Sequence, residues 1–291
     1  MIDQALRVLI GLMMFLTLLA MGMGLTFREV GQALRRGRIL TLGLVANFLA
    51  IPALVLLLIN VFAIEGPVAV GLILCAIAPG SGVGPLLVDH ARGDVGLSIG
   101  LLLALTFSSV ALTPLMLGWW TGGDVGAALS ATTWPTMRLI LTFQVVPLVA
   151  GLLFRRYAAS RARRAQPWVA RIARWLMLGI IAAYLVTRGQ LLFANGLRPF
   201  IVSVVTIVMS FVVGWVPLLG ARTERVSLGL TTMNRNLALA MLVAAMLFRE
   251  PATLAAILAY GILMLLVAFA TATWLRRSKL ERTVETATGD A

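Results

Sequence analysis

Apolar residues run along this chain in blocks of about twenty, separated by short polar and basic segments, and that rhythm sets the first expectation. A helix needs about 20 apolar residues to cross the hydrocarbon core of a bilayer. Nine blocks reach that length: 6–26, 39–61, 67–88, 95–118, 136–154, 172–194, 199–220, 226–248 and 252–275. The pattern predicts an all-α integral membrane protein with nine transmembrane helices. These form a single transmembrane domain over 1–276, followed by a polar tail over 277–291 that is expected to fray or stay disordered. The opening block, MIDQALRVLIGLMMFLTLLA, is read as a retained first helix, because its start is not clearly basic and no A-x-A cleavage pattern follows.

Composition sharpens this picture. The chain is 60% apolar and 12% charged, whereas soluble domains carry roughly 25% charged residues. The net charge of +13 would suit nucleic acid if it were spread over a surface, but here the arginines sit in blocks between apolar runs, which is a topology signal. With the N-terminus outside, 18 of the 24 Lys and Arg residues fall in cytoplasmic segments. Five fall outside (Arg7, Arg138, Arg188, Arg198 and Arg249), and Arg235 alone lies inside a span. The bias predicts a multi-pass protein of the cytoplasmic membrane with its C-terminus inside. One cysteine (Cys75) and one histidine (His90) exclude a disulfide framework and a His-rich metal site.

Two spans are irregular. The third holds Pro79, Gly80, Gly82, Gly84 and Pro85 in CAIAPGSGVGPLLV. Proline lacks the donor a helix needs and glycine weakens a helix by roughly 1 kcal/mol relative to alanine, so the middle of this span should unwind. The eighth holds Thr231, Thr232, Asn234, Arg235 and Asn236 in GLTTMNRNLALAMLV. Each is third in a quartet of spans, with the fifth span between the quartets, and the two quartets enter the membrane from opposite sides. Interruptions at matching places of inverted halves point to the binding site of a secondary transporter. A plain kink in the third span is the alternative, since Pro and Gly are common in membrane helices.

The stretch GLILCAIAPGSGVGPLLVDHARGDVGLSIGLLLALTFSSVALTPL carries a Pro79-Gly80 break. An Ala91-Arg92-Gly93-Asp94 turn and a Val95-Gly96-Leu97-Ser98 start follow it. With MGMGLTF (Met21 to Phe27), NFLAIP (Asn47 to Pro52) and the eighth span, this resembles the bile acid:sodium symporter family, as a nine-span version without that family's first helix. The resemblance implies panel and core subdomains interleaved in sequence, two broken helices that cross in the core, and organic anions as substrates. It places a substrate site on Pro79, Gly80, Ser81, Gly82, Thr231, Thr232, Asn234, Arg235 and Asn236. It places ion-coupling positions on Asn47, Ser98, Met233 and Asn234. The departures are pointed. The family's Ser-Asn pair falls on Gly84 and Pro85, its key glutamate on Leu230, its Gln on Asn234 and its Asn on Arg235. A hard cation needs oxygens, so these changes count against sodium coupling.

A charge at mid-bilayer costs about 2.5–3.5 kcal/mol on insertion scales. No Asp or Glu lies centrally in any span, because Glu65, Asp89, Asp94, Asp124, Glu224 and Glu250 fall at ends or in loops. Three readings of Arg235 stay open. It forks onto a substrate carboxylate, it takes the sodium position and bonds the unwound carbonyls of the third span, or it snorkels to an interface. Thr231, Thr232, Asn234 and Asn236 are site residues or helix–helix glue, and Gln144 is a lone polar residue better read as glue.

The function expected is secondary transport of a small organic anion, with half-helix N-termini and Arg235 offering positive charge. Its alternatives are a sodium-independent carrier (proton-coupled or uniport) and a non-transporting structural membrane subunit. An intramembrane hydrolase built on Ser81 and His90 is disfavoured by their separation, and a channel by the want of a charged ring. The partners expected are the anion and the lipid bilayer, with no nucleic acid. No cofactor is expected beyond sodium, which enters only as the family's coupling ion.

Overall fold

Apolar runs in lipid must satisfy their backbone groups internally, which leaves helices as the form available to each block. The computed structural model of the chain describes residues 2–33, 36–122, 133–193, 196–215 and 221–289. Among them it forms thirteen helices: α1 Ile2–Gly24, α2 Phe27–Ala33, α3 Gly37–Val61, α4 Gly66–Ile77, α5 Val83–His90, α6 Val95–Gly122, α7 Trp134–Tyr157, α8 Ala159–Arg188, α9 Gln190–Phe193, α10 Arg198–Trp215, α11 Arg222–Met233, α12 Leu237–Phe248 and α13 Pro251–Gly289. The protein is an all-α membrane protein. Seven helices (α1, α3, α6, α7, α8, α10 and α13) are long and apolar enough to cross a bilayer. Their outward side chains suit lipid: Val186 is 86% exposed and Leu266 64%, which in water would be a large apolar liability.

The third and eighth expected spans are not continuous helices but the pairs α4/α5 and α11/α12, each broken in its middle. Gly80 adopts φ +88°, a conformation open to glycine at no steric cost. The sixth expected span is α8, which starts earlier than expected, at Ala159, with Ala158 alone separating it from α7, because its arginines and alanines are good helix formers. It ends at Arg188, short of the 194 expected. The tail is corrected too. Rather than fraying after Arg276, α13 continues helical to Gly289. The expected stretch 216–220 of the seventh span and the loop around Asp124 lie outside the described residues.

Among the described residues, π-turns lie within helices at Ala46–Ala50 in α3, Leu141–Val145 in α7 and Ala244–Phe248 in α12. In α3 and α7 a proline follows two residues on, Pro52 and Pro147. Proline removes one helical bond and pushes away the carbonyl four residues back, and the wider turn accommodates both effects.

Packing separates the helices into two groups. α1 lies along α7 and α8, while α3 to α6 and α10 to α13 pack on one another. The groups meet where α1 touches α12, where α6 touches α7 and where α8 touches α13. The basic segments gather at one end of the molecule. Arg36 pairs with Asp94 at 2.5 Å and approaches Glu224 at 3.7 Å. Arg222 donates to the Leu275 carbonyl at 2.9 Å, and Arg276 lies 3.3 Å from His90.

Close approach of α1 and α7 depends on two glycines. A Cβ at Gly22 would lie 2.2 Å from the Leu148 carbonyl oxygen, and one at Gly151 would lie 2.4 Å from that of Leu19. Neither neighbour is a flexible side chain, so Gly22→Ala or Gly151→Ala is expected to force the helices apart at about 1–3 kcal/mol, seen as a lower thermal midpoint in detergent. Gly179→Ala, where nothing lies within 4 Å, should leave the midpoint unchanged or raise it.

Candidate functional site

The two broken helices touch at their breaks. Pro79 and Arg235 form an isolated antiparallel bridge, and the Asn236 amide donates to the Ala78 carbonyl at 2.8 Å. A helix that stops at mid-depth leaves its last carbonyls without partners. α4 has each of its final three acceptors met from another element. Ile77 accepts from the Thr113 hydroxyl of α6 at 2.7 Å, Ala76 from Arg235 Nη1 at 3.3 Å, and Ala78 from Asn236.

Arg235 is fully buried. Its Nη1 donates to Asn47 Oδ1 at 3.1 Å as well as to Ala76, and its backbone amide meets Met264 Sδ at 3.1 Å. Nε and Nη2, the other edge of the guanidinium, make no hydrogen bond of good geometry, and the Tyr260 hydroxyl lies close to the guanidinium. Tyr260, also fully buried, and Cys75 are its electrostatic neighbours. The Tyr260 hydroxyl makes no hydrogen bond of good geometry. No carboxylate forms a salt bridge with Arg235 among the described residues. The side chain is turned inward, away from any interface.

The remaining candidates divide in two. Asn47, inside the α3 π-turn, donates from Nδ2 to the Gly43 carbonyl at 2.8 Å and to Thr232 Oγ1 at 3.2 Å. Ser98 and Thr231 share a hydroxyl–hydroxyl bond of 2.6 Å. Asn234 donates back to Leu230 O at 2.7 Å and leaves Oδ1 buried without a partner. All of these, with Arg235 and Met233, are buried, and Arg235, Asn47 and Thr232 are linked by hydrogen bonds. Asn236 caps α12 by accepting from the Leu239 amide, and Ser81 accepts from the Val83 amide. Gly82 is exposed. The α12 N-terminus is thus already capped by its own chain.

For a sodium ion the oxygen set is poor. Leu230 is apolar and fully buried, and Asn47 Oδ1 is committed to the guanidinium. Gly84, which packs beside Thr231, offers no side-chain oxygen. Ser81 and His90 are not brought together. His90 stacks on Phe269 and faces Thr273 and Arg276. Gln144 bridges α7 to α6, donating to Thr106 O at 2.9 Å and Ser109 Oγ at 2.7 Å. Sequence reasoning missed Tyr260 and Met264. They are four residues apart on α13 and so share a face, a signal the sequence did offer.

Two interrupted helices meeting at buried polar residues, inside a bundle of membrane helices, define a carrier-type architecture. The chain belongs to the Sodium Bile acid symporter family, whose match covers residues 11–195. That is a family of symporters and not of enzymes. Relatives include the probable sodium/metabolite cotransporter BASS3, chloroplastic, of Oryza sativa subsp. japonica, 27% identical over 201 residues, or 68% of this chain and 46% of the relative. Sodium/bile acid cotransporter 4 of Homo sapiens is 26% identical over 195 residues, 66% of this chain and 43% of the relative. The hepatic sodium/bile acid cotransporter of Rattus norvegicus is 25% identical over 154 residues, 53% of this chain and 42% of the relative. The chain thus spans about half the length of the curated relatives it matches.

Removing the acceptor of a buried charge costs more than removing the pair. Asn47→Leu, which strips Arg235 of one of its two acceptors, should destabilise by about 1.5–3 kcal/mol. Arg235→Met combined with Asn47→Leu should cost clearly less than the sum of the two single changes. A double-mutant cycle on thermal or denaturant midpoints checks the coupling.

Proposed function

We propose that the chain is a secondary carrier of small organic anions with nine membrane crossings, in which Arg235 serves as a built-in cation where relatives are named for sodium. The observation that carries this reading is the division of labour within one guanidinium. Nη1 ties α11/α12 to Asn47 and to the end of α4, while the Nε–Nη2 edge makes no hydrogen bond of good geometry and has the buried Tyr260 hydroxyl as neighbour. That edge is the planar fork that matches a carboxylate bidentately. Asn236 caps α12 at the Leu239 amide, and Arg235 adds side-chain donors at the crossing.

In this reading α4/α5 and α11/α12 each cross the membrane once, bringing the seven continuous helices to nine. The spans before and after α7 form inverted halves. The group α1, α7 and α8 is the panel and the rest the core. Rocking of one against the other opens the crossing, whose substrate contacts are Pro79, Gly80, Ser81, Gly82, Thr231, Thr232, Asn234 and Asn236 beside Arg235. The N-terminus lies outside the cytoplasmic membrane and the C-terminus inside, supported by the clustering of Arg36, Arg222 and Arg276 at one end. Coupling to sodium is the second reading. The Ser98 and Thr231 hydroxyls, 2.6 Å apart, favour it, as do the printed names of the relatives.

Uptake of a panel of carboxylates into proteoliposomes, in sodium and in potassium at equal ionic strength, separates the two. Equal uptake in both ions is expected, with at least a tenfold loss in Arg235→Lys, which keeps the charge but not the fork. A requirement for sodium would overturn the built-in cation. Uptake unaffected by Arg235→Leu with Thr231→Val would sink the site.

A further inference from the structure

The start of α8 carries charge that the helices around it do not answer. Its first sixteen residues, 159–174, hold Arg161, Arg163, Arg164, Arg171 and Arg174, all exposed. From 125 to 223 the chain has no Asp or Glu, so neither α8 nor α7, which lies along it, can supply a carboxylate. α1, its other long neighbour, ends at Gly24 beside Gln166, and its Asp3 stands at the opposite end, about 30 Å away at 1.5 Å per residue. Glu29 of α2 is turned back onto the Thr26 amide and hydroxyl, at 2.7 and 2.8 Å. None of the five arginines forms a salt bridge among the described residues, whereas Arg36 has both Asp94 and Glu224.

The face is more than a solvated run of charge. Arg161, Arg164, Trp168, Arg171, Trp175 and Leu178 are all exposed and recur every three or four residues, so they form one stripe on the side that α1 and α7 leave uncovered. Trp168 and Trp175 are 63% and 67% exposed, a costly setting in water and the ordinary one at a membrane surface, where an indole sits at headgroup level. The Arg171 guanidinium lies 4.6 Å over the Trp168 ring. Stacking uses the flat face of a guanidinium and leaves its in-plane N–H donors for an anion, and those donors match phosphate. Length fits as well. The 30 residues of α8 reach about 45 Å against about 30 Å of hydrocarbon, so about ten residues stand beyond the core.

We propose that the arginine-rich start of α8 is a docking surface for anionic phospholipid. Trp168 and Trp175 seat it at the interface, Arg171 and Arg174 meet headgroup phosphates, and Arg161, Arg163 and Arg164 lie within electrostatic reach of the surface. Charge complementarity names the partner: five cations without a carboxylate, set between two aromatic anchors, are neutralised by the anionic headgroups of the bilayer the helix enters. Such docking does not need the carrier reading. Where that reading holds, α8 is the member of the α1, α7 and α8 group that headgroups hold in place while the core moves.

The test follows the thermal midpoint of the purified full chain in neutral detergent as phosphatidylglycerol or phosphatidylcholine is added in mixed micelles. Phosphatidylglycerol should raise the midpoint saturably and phosphatidylcholine should not. The rise should shrink in about 1 M potassium chloride, where the screening length falls to about 3 Å. In Arg161→Gln/Arg163→Gln/Arg164→Gln/Arg171→Gln the phosphatidylglycerol needed for half the rise should increase at least tenfold. Arg161→Lys/Arg163→Lys/Arg164→Lys/Arg171→Lys should stay within about threefold of wild type, because a surface of this kind counts charges. Without lipid, the midpoints of both variants should match the wild type. Should the glutamine variant fail to fold, Trp168→Ala/Arg171→Gln carries the test, with at least a threefold increase expected. Equal responses of wild type and glutamine variant, an equal rise with phosphatidylcholine, or the same rise with potassium phosphate at matched ionic strength overturns the docking surface. So does a wild type that does not respond, including one that responds only after Glu281→Gln/Glu285→Gln, since the chain's own tail would then be what covers the face.

Discussion

The structure depends on a bond between two deficits. Each broken helix ends at a depth where water cannot complete its backbone, and a guanidinium stands at that depth where charge is expensive. Neither would be stable alone. Arg235 meets the Ala76 carbonyl at the negative end of α4, so an orphan acceptor and a buried cation satisfy one another. Thr113, Asn236 and Asn47 complete the arrangement. The crossing is held by polar contacts in an apolar bundle, which makes it specific in register as well as stable.

Around it the packing is less particular. α1 and α7 approach through Gly22 and Gly151 as closely as backbones allow, the usual means by which helices associate where no hydrophobic drive separates protein from lipid. Prolines that would break a soluble helix are absorbed by π-turns in α3 and α7. The turn in α3 carries Asn47 and the one in α7 carries Gln144. Each is a buried amide in the middle of its helix that finds a partner across a helix interface.

Much of this was legible in the sequence because lipid imposes one rule on every block of twenty apolar residues. Spans, breaks and the cationic centre follow from apolar length, from Pro79 and Gly80, and from a lone arginine. Continuity was misjudged where the pattern counts hydrophobicity rather than helix formation. The arginine-rich start of α8 and the polar end of α13 extend their helices through residues that lipid would reject but helices accept. The direction of Arg235 was not legible, because the sequence cannot say which carbonyl a guanidinium reaches. Tyr260 and Met264 escaped notice because, four residues apart in a long apolar span, they look like ordinary core.

A cation fixed to moving helices also has an electrical meaning. Moving one elementary charge through the whole membrane field is worth about 2.3 kcal/mol per 100 mV. Arg235 has no salt-bridged carboxylate among the described residues, so the crossing is positive when empty and neutral when a monoanion sits on its Nε–Nη2 edge. On the carrier reading proposed above, the membrane potential would act on the empty core and spare the loaded one, so voltage would enter the cycle at the return step.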